Sequence, residues 1–358
     1  MPKHLPARAV LLAACALSGP PALSTTIVPP AIERAALTVR APERAVLLAA
    51  SKAGARLVAV GERGLIVLSD DQGMTWRQAR AVPTSVSLAA VRFADAHTGW
   101  AVGHAGVILR TVDGGETWLR QADGRALAQA SLDEAKRSED ARRIKAAQWL
   151  VDDGPDKPLM GILVYDTQHV LVVGAYGLML ESTDGGATWT SIMGRLDNPK
   201  ALHLNTIERD GDTIYVAGEQ GLLLRSDDRG KSFHSLQSPY EGSWFALAVT
   251  NKGRVIAAGL RGHAFGSSDK GVSWAPLEGA APASFVGATV VGSDRVVLVN
   301  QAGQLVAVGP GGRLQVLQRA PLPPTSALVS LPLGELLAVG MTGAMRLPAP
   351  ANLTGVTP

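Results

Sequence analysis

The 358 residues would suffice for two domains, but the 39 glycines scattered among short apolar runs predict many tight turns between strands and exclude a helical solenoid. The formal charge of +3 comes mostly from the first 24 residues: without Lys3 and Arg8 the chain holds 32 basic against 31 acidic residues, which excludes the broad positive field of a nonspecific nucleic-acid binder. The one cysteine, Cys15, also lies in that leader, so the body of the chain has no disulfide or thiol chemistry.

Residues 1–24 read as an export signal: Lys3, His4 and Arg8 make a basic start, Ala9 to Leu17 a short apolar run, and Ala22-Leu23-Ser24 a small-residue cleavage site. Export predicts a periplasmic protein. A rival reading takes Leu12-Ala13-Ala14-Cys15 as a lipobox, with lipidation at Cys15 tethering the chain to a membrane. After the leader, Ala35 to Arg40 (AALTVR) has the composition of a strand.

From Leu57 onward one pattern recurs seven times: an apolar run, Gly-x-x-Gly, and a second apolar run. The leading turn residues are Gly61, Gly103, Gly174, Gly218, Gly259, Asn300 and Gly340, spaced 42, 71, 44, 41, 41 and 40 apart. A period near 41 with two adjacent strands per unit is the signature of a β-propeller. Asn300 fits a turn position that demands positive φ, because Asn tolerates it better than other non-glycine residues.

A second motif, Ser/Thr-x-Asp-x-Gly-x-Thr/Ser-Trp/Phe, follows the first five repeats in phase: Ser69–Trp76, Thr111–Trp118, Ser182–Trp189, Ser226–Phe233 and Ser267–Trp274. This is the Asp box. Its aspartates, Asp71, Asp113, Asp184, Asp228 and Asp269, are expected to accept backbone N–H groups across a tight turn, and its aromatic residue to pack between blades. In the sixth repeat the box has decayed to Val308, Pro310 and Gly312, and the seventh repeat stops near Pro348 before any box. The fold expected is therefore an all-β, seven-bladed propeller over residues 35–348 with four strands per blade, followed by a tail at 349–358. The Ala35–Arg40 strand supplies the missing outer strand of the last blade.

The 71-residue spacing exceeds the period by about 29 residues, and the excess falls at about 121–157. Ser131-Leu132-Asp133-Glu134 has the form of a capping box, and the charged stretch after it predicts one helix or a helical hairpin from about Leu127 to Leu150. Leu132, Ile144, Trp149 and Leu150 are the expected anchors.

The phrase HTGWAVGHAGVILRTVDGGETWLRQA, from His97, resembles the repeat of the Ycf48/HCF136-like photosystem II stability and assembly factors, and the likeness extends over most of 35–348. The chain also resembles the bacterial Ycf48-related proteins outside photosynthesis. These resemblances imply an exported, non-enzymatic scaffold that serves a membrane protein complex, or a component of a transporter of the resistance-nodulation-division type, as a monomer without cofactor. An arginine-rich patch is also implied, for which Arg63, Arg80, Arg125, Arg229 and Arg261 are candidates.

In a propeller the Gly-x-x-Gly turns share one face with the links between blades. The partner-binding residues expected there are Arg63, His104, Tyr176 and Arg261 from the turns, and Arg80, Tyr240 and Trp244 from the links. The competing reading is a glycoside hydrolase or sialidase, since Asp boxes occur there. It would need paired carboxylates or a tyrosine nucleophile with an acidic base; Tyr165 and Tyr215 sit in apolar strand runs, and Asp166 and Asp294 have no supporting motif. The seven histidines show no metal-ligand spacing.

Overall fold

The computed structural model describes residues 28–318 and 320–350. The leader 1–24 with Cys15, and most of the 349–358 tail, lie outside the described residues. Within them the chain forms seven antiparallel sheets arranged as a β-propeller. Six have four strands, and the seventh has three: Thr325–Ser330, Leu336–Gly340 and Gly343–Leu347. Strands are lettered A to D from the channel outward. In blade two these are Leu88–Phe93, Gly99–Gly103, Ile108–Thr111 and Leu119–Ala122. B strands are buried in every blade, as in VVLVN and LLAVG, apart from the half-exposed Arg56 and Arg295 that open two of them, because both faces pack against neighbouring sheets.

The B–C turns are tight; in blades one, two, three and five they form a single 3-10 turn, and in six blades they are held by two glycines. The first, such as Gly61, is extended (φ −160°), so space rather than positive φ selects it: a Cβ there would collide with the Val46 carbonyl oxygen of its own A strand. Asn300 accordingly stands in this position for a different reason than the sequence suggests. It has no positive φ; its Oδ1 accepts the backbone N–H groups of Ala302 (3.1 Å) and Gln304 (3.0 Å), and its side chain itself shapes the turn.

The five Asp boxes are the C–D turns and are near copies of one another. In the third, Ser182 Oγ donates to Asp184 (2.8 Å) and accepts the Gly186 N–H (2.7 Å). Asp184 accepts the Thr188 N–H (2.9 Å) and hydroxyl (2.6 Å). The same four bonds recur around Asp71, Asp113, Asp228 and Asp269, within 2.5–3.0 Å. The hydroxyl of Thr75, Thr188 or Ser273, followed by the N–H of the same residue, holds Asp71, Asp184 and Asp269 down to about 2. The decayed sixth turn, Pro310–Gly312, still carries a fourth strand, Leu314–Val316, and the parallel bridge of Arg313 to Glu278 ties it to blade five.

Ring closure differs from the sequence expectation. Ala35–Arg40 forms no strand and does not join blade seven. It lies along the short outer strand of blade one: Gln78 Nε2 donates to Leu37 O, Gln78 Oε1 accepts Val39 N–H, and Ala36 N–H donates to Val82 O. The reason is local. Ile32 is buried among Val82, Val86 and Trp118 between blades one and two, and the turn Pro42–Arg44 then feeds the chain directly into the A strand of blade one. Closure is instead a packing contact. Leu331, Leu337 and Val339 of blade seven share a core with Leu47, Leu57 and Val67 of blade one. Gly343 lies so close to the Glu43 carbonyl that no Cβ would fit.

The insertion is a hairpin of two helices, α1 (Gly124–Arg137) and α2 (Ala141–Asp152). Asp123 caps α1 by accepting the N–H groups of Arg125 (3.0 Å) and Ala126 (3.3 Å). Ser131 is therefore mid-helix rather than a cap, and its buried hydroxyl donates to Leu127 O. No helix among the described residues is long and apolar enough to cross a membrane.

Two outcomes are expected. Leu337→Ala, which opens the blade seven to blade one core, lowers the unfolding free energy by about 2–5 kcal/mol, whereas Leu37→Ala on the exposed leading segment changes it by less than about 0.5 kcal/mol; urea titration separates them. The Asp-box carboxylates have folded values near 2, below the unfolded value of about 3.9, so their stabilisation is complete above about pH 4 and is lost as pH falls toward 2. Replacing Asp71, Asp184 and Asp269 together with Asn should flatten the acid limb of a stability–pH curve.

Candidate functional site

The B–C turns of blades one to five each place one non-glycine residue in the left-handed region: Arg63 (φ 56°), Ala105 (53°), Tyr176 (57°), Gln220 (52°) and Arg261 (56°). Such backbone is costly for a side-chain-bearing residue, and the flanking glycines enforce it. The helical insertion joins the D strand of blade two to the A strand of blade three, so it lies on this same face. Gly106 of the blade-two turn touches Gly124 at the start of α1. Leu127, Ala128 and Leu150 bury themselves against Ala122, Leu159 and Leu178 of the blades. Leu132, Ala135 and Ala147 bind the two helices together, and Glu134 pairs with Arg143 across the hairpin (2.5 Å).

Where the insertion returns to blade three, an aromatic and cationic cluster forms. The ring of Trp149 meets Tyr176 edge-on at 5.6 Å, and Tyr176 meets His203 at 5.2 Å. Lys157 lies beside both larger rings, 5.8 Å from Trp149 and 5.7 Å from Tyr176. Its side chain is only 1% exposed; its ammonium donates to Asp153 (2.6 Å) and to the Gly154 carbonyl (3.0 Å). His203 Nδ1 accepts the Tyr176 N–H (3.2 Å), and Glu219 accepts the His203 N–H (3.1 Å). Trp149 itself remains 50% exposed. It is thus not the buried anchor the sequence suggested; Leu132 and Leu150 are.

The seven residues expected on this face divide. Arg63, His104 and Arg261 are exposed on it. Tyr176 is half-buried in the cluster above, and Tyr240 is half-buried with its ring stacked on His263 at 4.1 Å. Trp244 is fully buried. It occupies the position in its A strand that Leu47, Leu88, Leu159, Leu204 and Phe285 occupy in theirs, so it is core. Arg80 belongs to the other face: its backbone and guanidinium engage Glu116 of the second Asp box, in a network with Arg56, Asp70 and Arg77. The five arginine candidates likewise do not converge. Arg63, Arg125 and Arg261 lie on the helix-bearing face, while Arg80 and Arg229 lie on the Asp-box face, where Arg229 and Arg209 flank Tyr165 at 5.0 and 4.8 Å.

The central channel opens on the helix-bearing face through a collar that sequence reading missed. Every A strand carries a bulge near its start, and the bulged residues are Leu48, Ala89, Met160, Asn205, Phe245, Val286 and Ser326. A bulge leaves its residue unpaired and re-aims its side chain. All seven line an upper chamber of about 150 Å³. Aligned A strands carry the signal: a core residue of fixed type (Leu, Trp or Phe in six of seven) is followed by a variable one. Deeper down, Arg92 of blade two and Glu208 of blade four form an ion pair (3.0 Å) that borders both this chamber and a lower one of about 360 Å³. Lys52 lines the lower chamber, where burial holds its ammonium below the usual lysine range. Glu208 is the one carboxylate lining either chamber.

The acids and tyrosines weighed for hydrolysis lie elsewhere. Asp166 accepts the N–H groups of Gln168 and His169 in a turn, Asp294 pairs with Lys252 (2.5 Å), and burial raises both Tyr165 and Tyr215. Among the described residues no group of three or more His, Cys, Asp or Glu side chains is placed to hold a metal ion.

The family model for the photosystem II assembly factor YCF48 matches residues 141–317. None of the curated proteins matches the chain by sequence. Among solved structures, YCF48 bound to a D1 peptide superposes with a TM-score of 0.63 at 16% identity, covering 87% of this chain and 98% of that one. YCF48 from Cyanidioschyzon merolae gives 0.62 at 13%, covering 86% and 96%. The WD40 repeats of RRP9 give 0.63 at 11%, covering 88% and 96%, so fold likeness reaches other propellers too. The repeats that the family model recognises lie on a seven-bladed ring of the same architecture, so this chain resembles the Ycf48/HCF136-like propellers in sequence over its middle part and in fold throughout.

Proposed function

We propose that the protein is a non-enzymatic binding scaffold that holds a segment of a membrane-protein subunit during assembly, and that it does so on the helix-bearing face. The observation that carries this reading is the Trp149–Tyr176–His203 cluster. It places a half-exposed tryptophan where an insertion found in one blade meets the blade-three turn, beside the buried Lys157 and its partner Asp153. A tryptophan and a tyrosine fixed by their neighbours present large apolar area at little cost in conformational entropy, which is what a recognition surface needs. Arg63, His104, Tyr240 and Arg261 form the polar surround. A YCF48 of the same architecture has been solved with a D1 peptide, which supports a peptide-like segment as the ligand class. Against hydrolysis stands the commitment of Glu208 to Arg92.

The same proposal covers location and state. The protein acts as a monomer after export, cleaved behind Ser24 and serving a membrane complex or a transporter component from the periplasmic side. Mass spectrometry of the mature protein should find an unmodified chain beginning at Thr25; a lipid-modified Cys15 at the N-terminus would replace this with a membrane-anchored form.

Trp149→Ala should leave the thermal midpoint within a few degrees, since half of the side chain is already in water, yet reduce capture of envelope partners at least about tenfold. Quantitative affinity purification beside a melting curve checks both. Undiminished capture by the folded variant would remove this face from the proposal.

A further inference from the structure

We infer that the upper chamber of the channel is a socket for one aromatic side chain of the segment bound on the helix-bearing face. The inference rests on the proposed scaffold role for the source of that side chain, but the chamber stands on its own geometry. Five of the seven bulged residues at its mouth, Leu48, Ala89, Met160, Phe245 and Val286, are apolar. None is fully buried, and Phe245 is 37% exposed although its neighbour Trp244 is sealed in the core. Seven bulges in phase, one per blade, direct side chains to a place where the ring buries nothing of its own; bulges recur where a fold builds a site.

Size and charge select the occupant. A cavity near 150 Å³ is the size that holds one benzene ring; here five apolar side chains ring the mouth, while Asn205, Ser326, Thr206, Arg92 and Glu208 make much of the rest of the lining polar. The floor is the guanidinium of Arg92, fixed by Glu208 (3.0 Å) and by the Val91 carbonyl (3.3 Å). A guanidinium fixed in place attracts the face of an aromatic ring and gives an aliphatic group no such gain. The chamber opens on the face that carries Trp149 and Tyr176, so one extended segment can touch the cluster and drop a ring into the channel.

The test uses toluene as the probe for a phenylalanine side chain, with ligand-observed NMR on the whole protein. Saturable binding is expected in the millimolar range, with tert-butanol, the aliphatic probe, at least about fivefold weaker. Ala89→Trp fills the socket and should cost toluene at least tenfold. Phe245→Ala, which removes one wall without adding bulk, should weaken it severalfold and serves if Ala89→Trp fails to fold. Trp149→Ala should leave toluene binding unchanged while losing partner capture, which separates failure of the socket from failure of the docking face. Absence of saturable toluene binding, equal affinity for tert-butanol, or a folded Ala89→Trp protein that binds toluene as before would each overturn the inference.

Discussion

The propeller depends on a steric allowance: the missing Cβ at two positions of the B–C turn, kept by glycine in every blade except at Asn300. At the first, the turn lies flat on the carbonyl oxygen that begins its own A strand; at the second, it lies against the link entering the next blade. Gly64 against Thr84, Gly221 against Tyr240, Gly262 against Ala281 and Gly303 against Leu322 repeat one contact around the ring. Gly343 against Glu43 completes it, joining the last blade to the first. Among the described residues no outer strand is exchanged. The circle is closed by backbone meeting backbone, with the apolar layers between blades one and seven behind it.

That contact explains what the sequence displayed and what it hid. Gly-x-x-Gly and the Asp box are side-chain identities tied to one backbone shape, so they recur visibly, and the blade number, the strand order and the place of the insertion follow from their spacing. Ala35–Arg40 carries strand composition but no such tie, and composition alone does not say which edge a segment will join; Ile32 and Pro42 decided that. Ser131 has the letters of a cap, yet Asp123 stands at the start of the helix and wins.

The site was legible in part. Turn residues could be assigned to a face because turns alternate between the two ends of a blade. Residues of the links could not, since a link crosses from the outer rim to the channel: Arg80 falls at the Asp-box end and Trp244 in the core. Lys157 was invisible because nothing in a sequence distinguishes a lysine whose ammonium is enclosed from one in water; Asp153, Trp149 and Tyr176 make that difference. The channel collar needed register, which only the pairing of A with B strands provides.

The Asp boxes all lie at one end of the blades, and each is satisfied within eight consecutive residues. The blade-six turn lost its box and kept its fourth strand, so these clasps act one by one rather than as a chain of dependencies. Because these clasps are local, a link at the opposite end can change length wherever the glycine contacts of the B–C turns are kept. An insertion of two helices could be accepted there, and a new specificity acquired, without any fastening at the opposite end being renegotiated.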